Sequence, residues 1–145
     1  MRAIKNILGG LAGAIALNIL HETVKRLDHD APQINLVGEE AISNSMEAAG
    51  LEPPTGDSLF VAALAGDLVS NALYYSLIGN GKKENIILRG AGYGLGAGLG
   101  ALFLTEPLGL SDAPITKTDK TKALTVTWYV FGGLVAALAI KALRK

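Results

Sequence analysis

An apolar stretch with a carboxylate in its middle constrains this chain more than any other feature. Residues 58–79 read SLFVAALAGDLVSNALYYSLIG, and a helix needs roughly 20 mostly apolar residues to cross a bilayer. Asp67 lies near the centre of the stretch, and Asn71 follows one helical turn later. A carboxylate at that depth is costly unless it is paired, hydrated or protonated. The other apolar segments are therefore expected to surround Asp67 and to satisfy it.

The composition favours an integral membrane protein. Of the 145 residues, 50% are hydrophobic and 18% are charged, whereas soluble domains carry about 25% charged residues. The apolar residues are gathered into blocks that polar connectors join. The chain has no cysteine, which excludes disulfides, thiolate zinc sites and cysteine catalysis. No basic patch is interleaved with aromatic residues, so the lipid bilayer, and no nucleic acid, is the expected partner.

The hydrophobic pattern predicts one all-α domain over residues 1–145, an up-down bundle of four transmembrane helices. The predicted spans are residues 4–27, 58–79, 85–104 and 124–143. Residues 37–49 are too short and too polar to span. They predict an amphipathic helix that lies in the membrane interface and falls, in sequence, between the first and second spans. Only about 6 residues join the second and third spans, so these two should be antiparallel neighbours.

A polar intramembrane site is predicted around Asp67. Asn71 and Tyr74 share its helical stripe, and Asn18 lies on a stripe of the first span that should face the protein. One interpretation is a site for an ion, a proton or a substrate. The other is a set of hydrogen bonds that only holds the helices together. Arg89 lies about 10 Å from Asp67 along the membrane normal, so a direct ion pair is not expected.

A second polar cluster contains both histidines of the chain. Its members follow the first apolar block: His21, Glu22, Asp28, His29 and Asp30. Imidazole and carboxylate ligands together suit Zn, Mn or Fe, so a divalent metal site is one hypothesis, and no other cofactor is predicted. Lys25 stands where HExxH would need its second histidine, which excludes a zincin. The alternative is a solvated helix end with an ordinary i,i+4 pair of Glu22 and Arg26.

Glycine occupies every second position from Gly90 to Gly100. In a helix these residues form two ridges about 200° apart. The first ridge is Gly90, Gly94 and Gly98, and the second is Gly92, Gly96 and Gly100. Such ridges favour close helix packing, and one of them could join copies of the chain into a homo-oligomer. A lone strand here would leave its backbone unsatisfied in lipid.

The charge distribution predicts the orientation. Eight Lys and Arg residues lie on the side of the termini and five on the opposite side. The positive-inside rule therefore places both termini inside, most simply in a bacterial inner membrane. Eleven of the 13 acidic residues fall on the opposite side.

Three functional hypotheses follow. The leading one is a non-enzymatic transport, channel or proton- and ion-handling component built around Asp67. The second is an accessory or structural membrane protein whose polar residues only stabilise helix packing. The third is a membrane metal-binding protein or enzyme that uses the histidine and carboxylate cluster.

Overall fold

The computed structural model describes all residues from 1 to 145. It is 81% helical and contains no strand, so the glycine-rich segment is a helix. The six α-helices are α1 (Arg2–Lys25), α2 (Ile34–Ala48), α3 (Gly56–Ser76), α4 (Ile86–Leu104), α5 (Ala113–Thr116) and α6 (Asp119–Leu143). Short 3₁₀ turns extend the ends of α3 and α4.

The helix α6 begins earlier than its apolar pattern predicts, at Asp119 rather than at residue 124. Thr118 is its N-cap: the backbone N–H of Thr121 donates to the Thr118 hydroxyl at 3.1 Å, and the Thr121 hydroxyl accepts from the Thr118 N–H. This reciprocal capping box supports a polar first turn that hydrophobic periodicity alone does not reveal.

Four helical segments are long and apolar enough to cross a membrane: Arg2–Lys25, Gly56–Gly79, Lys83–Leu104 and Asp119–Leu143. Large apolar side chains lie exposed on the outside of each one. Examples at least 57% exposed are Ile19, Val61, Leu88, Phe103 and Leu138. Such continuous apolar surface is unusual for a soluble monomer, and it fits a protein whose helices contact lipid.

The long helices are arranged in the order α3, α1, α6, α4, and neighbours are antiparallel. The first and last long helices of the chain therefore lie in the middle. Gly13 of α1 packs so closely on α6 that a β-carbon there would lie 2.5 Å from the carbonyl oxygen of Gly132. On its other side, a β-carbon on Gly10 would lie 2.8 Å from the backbone nitrogen of Ser76 in α3.

The helices α3 and α4 do not pair as closely as their short connection predicts. Their principal contact is made by tyrosines: the Tyr74 hydroxyl donates to the carbonyl of Tyr93 at 2.8 Å, and the two ring centroids are 5.3 Å apart. The first glycine ridge of α4 packs on α6 instead, because small residues allow two backbones to approach closely. The helices α3 and α4 do run antiparallel, as predicted, but their backbones are not in close contact along their length.

The core lies between α1, α3, α4 and α6 and is built mainly of aromatic, isoleucine and alanine side chains. Its buried members are Leu17, Tyr75, Ile78, Ile86, Trp128, Tyr129, Ala136, Ala137 and Ile140. The Tyr75 hydroxyl donates to the carbonyl of Tyr129 at 2.8 Å. A buried phenol therefore has its hydrogen bond, as burial requires.

The short helices α2 and α5 lie together at the end of the bundle opposite the termini. The N–H of Gln33, the N-cap of α2, donates to the carbonyl of Pro114 in the first turn of α5 at 3.0 Å. The helix α2 packs on α3, where a β-carbon on Gly38 would lie 3.6 Å from that of Ala63. No residue of α2 is fully buried. It covers this end of the bundle, above the polar position Asp67.

Candidate functional site

The carboxylate of Asp67 is held by two asparagine amides. The Asn18 side-chain nitrogen donates to Oδ2 at 2.7 Å, and that of Asn71 donates to Oδ1 at 2.9 Å. Asn18 also donates to the carbonyl of Ala14 at 3.0 Å. Both oxygens of the carboxylate thus accept one neutral donor each, and the amides fix its orientation between α1 and α3.

No basic side chain neutralises Asp67. Every Lys or Arg that forms an ion pair in the protein pairs with another acid. Arg89 donates to the carbonyls of Ile78 at 2.9 Å and Lys82 at 2.8 Å, where it covers the carboxyl end of α3. An uncompensated carboxylate within a helix bundle is expensive, so the surroundings of Asp67 must supply a proton, water or a cation.

A cleft of about 180 Å³ reaches Asp67 from the α2 end of the bundle. It lies between α1, α2 and α3, and most of its wall is apolar. Its polar wall residues are Asn18, His21, Glu22, Asn35 and Asp67. A water molecule occupies about 30 Å³, so the cleft has room for several waters or for one small solute. A mostly apolar cleft with a few convergent polar groups is typical of a binding site.

The tyrosine that lines the cleft is Tyr129 and not the predicted Tyr74. Tyr74 does not join the polar site, because its hydroxyl bonds to α4. Tyr129 of α6 lines the cleft instead. Helical spacing puts Tyr129 on one stripe with Thr125, Gly132 and Ala136 of α6, but spacing within one helix does not reveal which other helix that stripe meets.

The mouth of the cleft is bordered by Lys25. Its ammonium nitrogen lies 2.8 Å from a carboxylate oxygen of Glu22 and 3.1 Å from the side-chain oxygen of Asn35. It also lies 5.4 Å from the ring centroid of Phe60, within cation–π range. Lys25 therefore links α1, α2 and α3, and it takes the i,i+3 position on Glu22 in place of the predicted partner, Arg26.

The imidazole of His21 joins the end of α1 to the start of α2. Its Nε2 lies 3.0 Å from the carbonyl of Pro32 and 3.1 Å from the backbone nitrogen of Ile34. Nε2 can donate to the Pro32 carbonyl if it carries the proton, or accept from the Ile34 N–H if it does not. The tautomer therefore decides which of these two hydrogen bonds forms. Its Nδ1 is 3.5 Å from Glu22. The ring is 3% exposed and forms part of the cleft wall.

The structure does not bring the predicted metal cluster together. Asp28 binds Lys120 at 2.6 Å, and Asp30 lies 4.0 Å from the same ammonium nitrogen. The hydrogen bond from Lys120, followed by that from the Asp30 N–H, lowers the pKa of Asp28. His29 is exposed, and His21 points to α2. No group of three or more histidine and carboxylate side chains is placed to hold a metal ion.

The two glycine ridges of α4 have different surroundings. On the first ridge, β-carbons on Gly94 and Gly98 would lie 2.5 Å and 2.7 Å from α-carbons of α6, and Gly90 is similarly crowded. On the second, a β-carbon on Gly92 would meet nothing within 4 Å. A β-carbon on Gly96 would meet only the Tyr74 hydroxyl, at 3.3 Å, and one on Gly100 only a side chain of its own helix.

The comparison with known proteins adds no family to this description. The chain matches no family model, no curated protein and no solved structure. Its four long apolar helices fit a membrane protein. A narrower role has to be argued from the cleft and from Asp67.

Proposed function

We propose that this chain is a small polytopic membrane protein that binds and moves protons or small cations, with Asp67 as the binding group. The observation that carries the proposal is a carboxylate without a basic partner at the deep end of a cleft. Ionisable groups at membrane depth commonly mark ion or proton pathways. Protonation, or a bound cation, would remove the charge that the two asparagine amides leave uncompensated.

The charge around the mouth of the cleft supports a cationic ligand. The α2 end of the bundle carries eleven acidic residues and five basic ones. A surface with one dominant sign of charge raises the local concentration of ions of opposite sign. Glu22 lies in the cleft wall itself, between this acidic surface and Asp67. A cation would therefore be attracted to the mouth, whereas an anion would be repelled.

The same proposal includes a membrane placement. The α2 end would face the outside of a bacterial inner membrane, with α2 in the interface and both termini inside, as the lysine and arginine bias favours. Reporter fusions to the C-terminus test this placement, since a fusion active only outside the cytoplasm contradicts it. The free ridge of Gly92, Gly96 and Gly100 would join copies of the chain into a homo-oligomer.

Carbodiimide labelling tests the binding group. Dicyclohexylcarbodiimide reacts with protonated carboxyl groups in apolar surroundings and leaves a stable acylurea that mass spectrometry locates. In liposomes containing the full chain, we expect labelling at Asp67 that decreases as the pH rises. Asp57, exposed in the first turn of the same helix, is the matched control and should not react. Absence of label from Asp67 at every pH, or equal label on both residues, contradicts the proposal.

Ion flux tests the transport role. Liposomes containing the protein are given a potassium gradient with valinomycin, and internal pH is followed with a trapped dye. We expect proton entry above that of empty liposomes, lost in Asp67→Asn and retained in Asp57→Asn. If Asp67 is labelled but the wild type adds no proton or sodium flux, the accessory role is favoured instead, with Asp67 as a packing residue.

A further inference from the structure

The end of the bundle that carries the termini is strongly basic. Eight of the 13 Lys and Arg residues lie there, and Glu84 is the only acidic side chain among them. All ion pairs of the protein lie at the opposite end. The basic side chains at this end therefore have no carboxylate partner in the protein.

These side chains surround a cleft of about 300 Å³ between the helix ends. Its wall contains Arg2, Lys5, Lys83 and Arg144. Arg2 also lines a second cleft of about 290 Å³, and the wall of that cleft includes polar side chains such as Asn6. A continuous polar and basic surface thus lies between the start of α1, the end of α6 and the connection from α3 to α4.

Arg144, which lines this cleft, and Arg89, whose positive charge acts on it, both have buried N–H groups without an acceptor. Arg144 donates from Nη2 to the carbonyl of Gly79 at 2.6 Å, whereas its Nε and Nη1 find no acceptor. Nη2 of Arg89 also lacks an acceptor. Burial, and then the positive charges of Arg2 and Arg89, lower the pKa of Arg144. An anion bound among the basic side chains of the cleft would relieve this repulsion.

Helix direction adds to the positive potential. The helices α1 and α4, of 24 and 19 residues, both begin at this end, and helix N-termini attract anions. The helices α3 and α6 both end here; Arg89 and Arg144 donate to the carbonyls of Ile78 and Gly79, just beyond α3, and Arg144 is itself the C-cap of α6. The carbonyls of Ile78 and Gly79 are therefore not free to repel an anion.

We propose that this basic cleft binds the phosphate group of an anionic phospholipid. The cleft lies where all four apolar segments end, which is the level of the headgroups if these segments span a bilayer. Basic pockets between the ends of transmembrane helices are suited to phosphate headgroups, and lysine and arginine near an anionic leaflet contribute favourably. The proposal is independent of Asp67, which lies at the other cleft.

Lipid retention tests the proposal. The full chain is placed in nanodiscs of phosphatidylcholine, with or without phosphatidylglycerol, and bound lipid is counted by native mass spectrometry after release. We expect the wild type to retain phosphatidylglycerol selectively and to unfold at a higher temperature in its presence. The double variant Lys5→Gln, Lys83→Gln should retain about tenfold less. Neither side chain bonds to the protein, so the variant should fold normally.

The controls separate this site from general attraction to charge. The variant Lys117→Gln, Lys122→Gln removes two exposed lysines from the opposite end and should retain phosphatidylglycerol as the wild type does. Equal loss in both double variants, or no preference for phosphatidylglycerol in the wild type, overturns the proposal. An equal stabilisation by inorganic phosphate in phosphatidylcholine nanodiscs also overturns it, because the ligand would then be free phosphate.

Discussion

Two helix pairs in this protein begin with the same packing and end differently. The pair α4–α6 is joined by small residues throughout, and Gly90, Gly94 and Gly98 hold the two backbones together. The pair α1–α3 is equally close at Gly10. About two turns further along, however, Asn18 and Asp67 lie between the helices, and the cleft begins.

One bundle can thus contain both a closely packed helix pair and a helix pair that borders a cavity. Small residues give close backbone contact, and such packing tolerates little change. Larger polar side chains hold helices apart, and their hydrogen bonds replace the lost contacts. We therefore expect α4–α6 to be the rigid pair and α1–α3 to be the pair whose spacing responds to a ligand.

The largest expected effect is on the rigid pair. In Gly94→Leu, the new side chain would meet the backbone of Tyr129 and Val130, with the β-carbon only 2.5 Å from the Val130 α-carbon. Backbone cannot rotate away as a side chain can, so we expect a loss of about 3 kcal/mol of stability. Thermal unfolding in detergent measures it, and an unchanged midpoint would mean that α4 and α6 are not in close contact.

The matched control is Gly92→Leu on the opposite face of α4. A β-carbon there meets nothing within 4 Å, so the stability of the single chain should change by no more than about 0.5 kcal/mol. The molecular mass in detergent should fall if this ridge joins copies of the chain. A large loss of stability in this variant would remove the distinction between the two ridges.

A smaller loss is expected from the polar pair. Asn18→Leu removes one of the two amide donors of Asp67 and should cost about 2 kcal/mol, because hydrogen bonds to a charged group are worth more than neutral ones. Adding Asp67→Leu should restore part of the loss, because the carboxylate that had lost its Asn18 donor is then gone, and only the Asn71 amide is left without its acceptor. Thr23→Leu, exposed on the same helix, is the control. Strictly additive losses would show that the two side chains do not interact.

The smallest effect concerns the ion pair of Asp28 and Lys120 at the α2 end. The hydrogen bond from Lys120 lowers the pKa of Asp28 in the folded protein. A lowered pKa stabilises the fold above the unfolded pKa of aspartate, and this contribution is lost as the pH falls through the folded value. The midpoint of Asp28→Asn should therefore lie slightly below that of the wild type at neutral pH, and the two should converge in acid. High salt should reduce the difference. A difference that grows in acid would contradict this sign.

The number and approximate positions of the long helices could be predicted from the sequence, because hydrophobic length is a property of each segment alone. The polar stripe of α1 also indicated Asn18 as a neighbour of Asp67, and the two side chains are hydrogen bonded. Such local signals need only helical periodicity.

The order of the helices could not be predicted in the same way. Periodicity shows that Tyr129 faces inward, but not that α6 lies next to α1 and brings Tyr129 to the cleft. The covering position of α2 depends on a contact between Gly38 and Ala63, which are distant in sequence. The ion pair of Asp28 with Lys120, also distant in sequence, could not be predicted from local spacing either.

The central position of α6 has a consequence for how the protein is made. The helices α1 and α3 can pair as soon as both have left the ribosome, and α2 connects them. The helix α4 follows, yet its crowded glycine face has only the Tyr74 contact until α6 emerges. We therefore expect this four-helix unit to close only when α6 packs between α1 and α4. A chain interrupted before residue 119 would leave the crowded glycine face of α4 without its partner.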